Sequence, residues 1–412
     1  MANATAPTQT SPILHTIVQI EPWIDECELR ELKRVIDSTF LVEHDLTREF
    51  ESLTAAMAGC RHAMAVCNGS MALFVCLKAL GIGPGDEVIV PNLTFVATAN
   101  AVILAGATPV LCDVREDTFC LDVERAEKLL TRKTRALLPV HLYGQSADMP
   151  QVMALARAHQ LKVIEDAAEG VGVTFEGRHV GTFGDMGILS YYGNKTITCG
   201  EGGMVLTDDD ELVRAAYRLK NYGRDQKGTF IHESIGFNFS FTDLQAAIGI
   251  AQMKKMPAIV RRKREIRDRY VEELRGLAGL RPGFRDPVFP DPAFRDRVFR
   301  DPAFRDPVFL DPVIIDPRCQ PVFWFTSFLC DDPEALSSFL LGHRIQTRRF
   351  FCPLHLQPCY ADRRHVRIGD GDFSVSERIY RQGISLPSAY TLTADDQAFV
   401  IDKIQRFYAN RN

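Results

Sequence analysis

From about residue 62 onward, short apolar runs alternate with stretches whose apolar positions recur at helical spacing. This pattern predicts strands at 63–67, 87–90, 109–112, 136–142 and 163–164, with helices between them at 70–80, 94–104, 121–130 and 149–159. Alternation of this kind predicts an α/β fold: a mostly parallel sheet, helices on both faces, and ligands at the carboxyl ends of the strands. Shorter β segments follow at 187–191 and 203–206, then a helix at 212–220. A long helical stretch, 242–256 and 260–277, is expected to break near Pro257 as the chain leaves one domain for another.

Beyond it the pattern changes to a small α+β domain, with strands at 322–330 and 344–348 and helices at 333–341 and 394–409. The last helix presents Val400, Ile404, Phe407 and Tyr408 on one face. The domain expectation is therefore a flexible tail at 1–15, a large domain at 16–257 and a small one at 258–412. An insertion at 285–317 interrupts the small domain, with Phe289, Phe294, Phe299, Phe304 and Phe309 spaced five apart among Asp-Pro pairs. Proline at nearly every repeat opposes both helix and central strand. It reads as an expanded low-complexity loop or as a docking segment.

Composition adds exclusions. The 412 residues are 46% apolar and 25% charged with a formal charge of −5, an ordinary balance that offers no electrostatic case for nucleic acid or an anionic membrane. No apolar run reaches the length of a membrane-spanning helix, and residues 1–12 are small and polar, which reads as a tail rather than a signal. Eleven cysteines without a CxxC pair argue against a zinc site or a disulfide framework and for reduced thiols in a cytoplasmic protein.

The candidate chemistry centres on Ser190-Tyr-Tyr-Gly-Asn-Lys195-Thr-Ile-Thr-Cys-Gly-Glu-Gly-Gly203, where one lysine sits in a polar, glycine-rich segment. Upstream, an apolar strand ends in Asp166, followed by Glu169. An amine able to reach an aldehyde and an acid able to hold a pyridinium nitrogen suggest pyridoxal phosphate; an exposed loop lysine and a helix-capping Asp are the plain alternatives. Asn68-Gly69-Ser70-Met71 joins the first strand to a helix, a geometry that binds phosphate or simply caps the helix. Ser190 can add a hydroxyl to such a cradle, and Phe95 can stack on a flat ring or pack in the core.

Several stretches in register resemble one family. These are Cys67-Asn-Gly-Ser-Met-Ala-Leu73, Gly83-Pro-Gly-Asp-Glu-Val-Ile-Val-Pro91, Thr94-Phe-Val-Ala-Thr-Ala-Asn-Ala101, Pro139-Val-His-Leu-Tyr-Gly144, Val163-Ile-Glu-Asp-Ala-Ala-Glu169, Gly193-Asn-Lys-Thr-Ile-Thr198 and Gly236-Phe-Asn-Phe-Ser-Phe-Thr-Asp-Leu-Gln-Ala-Ala247. They are similar to the DegT/StrS sugar-nucleotide aminotransferases, within the aspartate-aminotransferase-like (type I) pyridoxal-phosphate enzymes. The resemblance covers about 16–280 and 319–410.

It implies that Lys195 is the Schiff-base lysine and Asp166 the partner of the pyridine nitrogen. Glu169 would contact the O3′ side of the ring, Phe95 would stack on it, and Gly69, Ser70, Met71 and Ser190 would cradle the phosphate. Asn238 resembles an asparagine given by a neighbouring subunit, so the resemblance implies a homodimer with shared active sites. Where relatives read Asn-x-Arg, this chain has Ser240, a departure that leaves a cationic contact unaccounted for.

The Glu21-Pro-Trp-Ile opening, the acid at 169 and Asn194-Lys-Thr-Ile-Thr198 are most similar to members that convert GDP-4-keto-6-deoxy-D-mannose to GDP-perosamine with L-glutamate. A 3-keto nucleotide sugar, and a fold retained for binding without turnover, are the alternatives.

Overall fold

The computed structural model describes residues 15–225, 228, 230–277, 280–282 and 315–411. In chain order α1 (Glu26–Ser38) and α2 (Asp45–Ala58) precede β1 (His62–Val66), α3 (Gly69–Ala79), β2 (Glu87–Pro91), α4 (Ala97–Leu104) and β3 (Thr108–Cys112). Then come α5 (Val123–Lys128), β4 (Thr134–Leu137), α6 (Met149–His159), β5 (Lys162–Asp166), β6 (Thr174–Phe175), β7 (Arg178–His179), β8 (Met186–Ser190), β9 (Gly203–Thr207) and α7 (Asp210–Lys220). The rest is α8 (Asp243–Glu273), β10 (Leu280–Pro282), β11 (Cys319–Gln320), β12 (Thr326–Cys330), α9 (Pro333–Gly342), β13 (Arg348–Arg349), β14 (Arg367–Ile368), α10 (Ser374–Gln382), β15 (Gly383–Leu386) and α11 (Ala394–Ala409).

Eight strands form one sheet in the order β1-β9-β8-β5-β4-β2-β3-β14. Every neighbouring pair from β8 to β14 is parallel, while β9 runs antiparallel to both β1 and β8. Successive residues face opposite sides: Met64, Val66, Val88, Val90 and Ile188 join one apolar cluster, and Ala65, Ile89 and Leu189 join the other. Burial on both faces is why these strands read as continuous apolar runs rather than alternating ones. A second sheet, β10-β12-β15-β13, is wholly antiparallel. It packs with α9 and α11 around Phe328, Leu336, Ile384, Val400 and Ile404, so the apolar stripe read from the last helix is buried.

Several predicted boundaries move. The expected break near Pro257 is absent: α8 is one helix of 31 residues with the proline inside it. Tertiary anchors hold the turn before the proline, since Gln252 donates to the Trp23 carbonyl and Glu28, and Lys255 pairs with Asp25 and Glu28. These contacts outweigh the one hydrogen bond that proline removes. The strand predicted over 136–142 ends as β4 at Leu137, and beyond it Tyr143 and Gly144 turn left-handed (φ 53° and 82°). A Cβ on Gly144 would lie 1.7 Å from the Val322 carbonyl oxygen, so only glycine fits there. The helix predicted from 94 begins at Ala97, and the strand predicted over 344–348 is reduced to β13.

Helices α1, α2 and α10 were absent from the sequence reading, and β14 brings a segment of the C-terminal region to the edge of the large sheet. The tail up to residue 14 and the repeat up to residue 314 lie outside the described residues. All eleven cysteines are free. Among the described residues, no helix is long and apolar enough to cross a membrane.

Candidate active site

The turns leaving β1, β2, β5 and β8 converge on a cavity of about 650 Å³. At its β1 side Asn68 caps α3, its Oδ1 accepting from the Met71 amide at 2.9 Å. The first turn of a helix keeps amides without intrahelical partners, and Gly69, Ser70 and Met71 all line the cavity. A Cβ on Gly69 would come within 3.2 Å of the Ser190 Cβ, so that strand end and the helix start lie against each other. Gly203 makes the same approach from β9: its Cβ would meet the Asn68 carbonyl group at 2.4 Å. Two glycines and a small serine thus bring orphan amides and a hydroxyl together, the makings of an anion cradle.

Asp166 closes β5 and is buried. Its Oδ2 accepts from Thr98 Oγ1 at 2.8 Å and its Oδ1 from the Ala168 amide at 3.2 Å. Burial raises its pKa, against the pull of those two bonds and of Lys195. Glu169, also buried, accepts the Tyr143 amide at 2.7 Å and lies 3.7 Å from Lys195 Nζ. Burial pushes its carboxyl up to about 7, opposed chiefly by the Lys195 charge.

Lys195 shows the complementary shift. Burial lowers its proton affinity, while Glu169 and Asp166 pull the other way. Its Nζ sits 4.0 Å from the centroid of the Trp324 ring, and that indole N–H donates to the Asn194 carbonyl at 2.7 Å. An amine whose hold on its proton is loosened by burial, with Glu169 beside it and Asp166 lining the same cavity, is suited to accepting and returning a proton.

The structure brings Gly69, Ser70, Met71, Phe95, Asp166, Glu169, Ser190 and Lys195 to one cavity. Phe95 precedes α4 rather than starting it, and its ring is 55% exposed, 5.7 Å from that of Phe351. Asn238 is elsewhere: it is exposed, lies outside the lining of its own chain's cavity, and accepts from the Ser240 amide at 3.1 Å. Residues missed from sequence include Thr98, Tyr143, Trp324, Arg348 and Phe351. Trp324 is one of two tryptophans in the chain, a rarity that was the available signal, but its apolar neighbours made the run read as plain strand.

A model of the DegT/DnrJ/EryC1/StrS aminotransferase family matches residues 22–287 and 312–405. The GDP-perosamine synthase of Caulobacter vibrioides is 38% identical over 353 residues, covering 84% of this chain and 86% of the relative. The UDP-N-acetyl-3-dehydro-alpha-D-glucosamine 3-aminotransferase of Acidithiobacillus ferrooxidans is 39% identical over 267 residues, covering 65% and 72%. Among solved structures, NtdA from Bacillus subtilis, which holds the cofactor PMP, superposes with a TM-score of 0.78 at 25% identity, covering 93% of this chain and 82% of its own.

Proposed function

This chain belongs to the DegT/DnrJ/EryC1/StrS aminotransferase family and is a pyridoxal-phosphate-dependent aminotransferase of type I fold acting on a nucleotide sugar. On that premise we propose that it moves the amino group of L-glutamate to C4 of GDP-4-keto-6-deoxy-D-mannose, giving GDP-perosamine for a surface polysaccharide. The 38% identity to a GDP-perosamine synthase supports the sugar, and free cysteines support work in the cytoplasm.

The residues present suit the cofactor: the cradle that an added Cβ would fill takes a phosphate, and a buried acid and an amine face the same space. When bound, pyridoxal phosphate supplies a conjugated ring that delocalises an electron pair left at a donor carbon, and a carbon that carries the amino group. The rest falls to the chain. Gly69, Ser70, Met71 and Ser190 would form the phosphate's cradle, through the open Gly69 and Ser70 amides and the two serine hydroxyls, the Met71 amide being taken by Asn68. Asp166, kept in place by Thr98 and Ala168, would hold a proton-bearing ring nitrogen by its charge. Glu169 would contact the ring's oxygen side, and Phe95 would stack on a ring face.

Lys195 carries the reading. Its amine, desolvated and flanked by Glu169, would take the proton from the donor Cα and hand it to the cofactor carbon that receives the amino group, and in the second half-reaction would move a proton from that carbon to the sugar carbon that gains the amine. Asn238 of a second copy completes the phosphate site, so the working unit is a homodimer.

The 39% identity to a 3-aminotransferase favours one other reading, amination at C3. Both are tested by incubating the enzyme with glutamate and a panel of nucleotide 4-keto and 3-keto sugars, then locating the new amine by mass and NMR. Amination of the GDP-4-keto sugar is the expected result; product only from 3-keto substrates would replace it. Lys195→Ala is expected to abolish turnover while leaving the fold intact, and residual transamination at the wild-type rate would refute the lysine's role.

A further inference from the structure

Asn194 immediately precedes the reacting lysine, and its two polar groups are treated very differently by the fold. Its main-chain carbonyl accepts the Trp324 indole N–H at 2.7 Å, which fixes the backbone just before Lys195. Its carboxamide has no such tie: Oδ1 is buried and accepts no hydrogen bond. Of the buried side-chain oxygens and nitrogens left without a hydrogen bond among the described residues, it is the one that belongs to the lining of the active-site cavity. A buried amide oxygen without a donor is unfavourable, and such atoms are rare in folded proteins. In the wall of a binding cavity, it calls for a donor on the ligand.

Elimination among the polar side chains of the lining leads to the same residue. Asn68 caps α3, and Thr94 bonds to Thr98 at 3.0 Å. Ser70 and Ser190 belong to the anion cradle, the Trp324 N–H is spent on Asn194, and Tyr192 is 49% exposed. The other polar side chains of the lining are charged. Asn194 is therefore the neutral hydrogen-bonding group left beside the amine, and a carboxamide that accepts through oxygen and donates through nitrogen suits a sugar hydroxyl.

The chemistry says which hydroxyl. The ketone carbon of the sugar must come to Lys195, because that amine delivers its proton, so the groups on the adjacent ring carbons come to the residues next to Lys195. In a 4-keto-6-deoxyhexose one neighbour, C5, carries the methyl group and the ring oxygen. The other, C3, carries a hydroxyl.

We propose that Asn194 is a specificity-determining residue of this site, its carboxamide oxygen accepting the hydroxyl on the carbon next to the ketone, C3 of the sugar. The bond orients the ketone over the amine and lets the site reject sugars that lack the hydroxyl, since the buried Oδ1 would then stay unpaired. The assignment rests on the 4-keto reading of the substrate.

The test compares GDP-4-keto-6-deoxy-D-mannose with its 3-deoxy analogue on the cofactor-loaded enzyme, as a ratio of kcat/KM values, in wild type, Asn194→Ala and Asn194→Ser. Calorimetric titration of the unreactive 4-hydroxy forms of both sugars gives the same ratio for binding alone. Wild type is expected to favour the 3-hydroxy sugar by about tenfold or more, and Asn194→Ala to bring the ratio to within about twofold of unity. General damage to the loop lowers both sugars alike and leaves the ratio standing. The wild-type comparison needs no substitution, and the serine variant keeps the test valid if the alanine one unfolds. A wild-type enzyme that treats both sugars alike overturns the assignment while the 4-keto reading stands. A preference that survives in both variants overturns it in favour of another group reading the hydroxyl. A wild-type enzyme that aminates neither 4-keto sugar overturns the 4-keto reading and this assignment with it.

Discussion

The Lys195 amine lies 4.0 Å from the centre of the Trp324 indole, and that same indole is locked by an N–H bond of 2.7 Å to the carbonyl of Asn194, the residue just before the lysine. The platform beneath the amine is thus fastened to the loop that carries the amine. The segment leading into β12 and the glycine-rich loop, 130 residues apart in sequence, are made into one piece at the reacting atom.

Trp324→Phe should separate these two functions. It keeps a ring, weakens the cation–π contact, and leaves the Asn194 carbonyl without its donor. A lost hydrogen bond and a weakened ring contact together amount to about 1.5 kcal/mol, so kcat should fall about tenfold. Cofactor affinity should hardly change, because the anion cradle is untouched. Stopped-flow half-reactions with glutamate would read the rate, and equilibrium dialysis the affinity.

Glu169→Gln tests the electrostatics of the same amine. The carboxylate 3.7 Å away favours the charged ammonium, so its removal should lower the Lys195 pKa beyond what burial already does. The amide keeps an acceptor for the Tyr143 N–H, so the loop should hold. In cofactor-free protein, labelling of Lys195 by acetic anhydride, followed by mass spectrometry across pH, should reach its midpoint at lower pH in the variant. A midpoint moved upward would contradict the pairing.

Lys263 offers a stability prediction away from the chemistry. Its amine is buried in α8, donates to the carbonyls of Trp324 (3.0 Å) and Ser388 (3.2 Å), and burial pushes it down to about 7. Between pH 7 and the ordinary lysine value of 10.5 the unfolded chain therefore holds more protons than the folded one. Folding stability from this group accordingly rises with pH across that window and is lost as pH falls through 7. In Lys263→Met this dependence vanishes. Relative to the variant, the wild type should gain on the order of 2–3 kcal/mol between pH 7 and pH 9, measured by urea denaturation.

The alternation of apolar runs was enough to place β1 to β5 and α3 to α6, because a sheet buried on both faces leaves its length and spacing in composition. Lys195 and Asp166 were legible since each stands out chemically at the end of a strand or in a glycine-rich turn. Thr98 and Tyr143 were not, because one acts through a hydroxyl inside an apolar helix and the other through a main-chain amide, and neither leaves a trace in residue type. Trp324 reaches the lysine only after the chain has folded back across 129 positions. The continuity of α8 through Pro257 was equally hidden: local propensity argued for a break, and the anchors to Trp23, Asp25 and Glu28 that override it come from the far N-terminal side.

Asn238 supplies the last test, because its place outside its own chain's cavity makes the shared site a question of complementation. Asn238→Asp would set a carboxylate against the cofactor phosphate, and Lys195→Ala would remove the amine, so each variant alone should be nearly inactive. In a mixed dimer, one site combines the intact Lys195 of one copy with the intact Asn238 of the other. Co-refolding the two variants at equal amounts gives half mixed dimers with one good site of two, so activity should return to about a quarter of wild type. If Asn238 served only its own chain, the mixed dimer would pair Lys195 with a defective phosphate site in every case. Activity would then stay at the level of the single variants, and the shared-site homodimer would have to be abandoned.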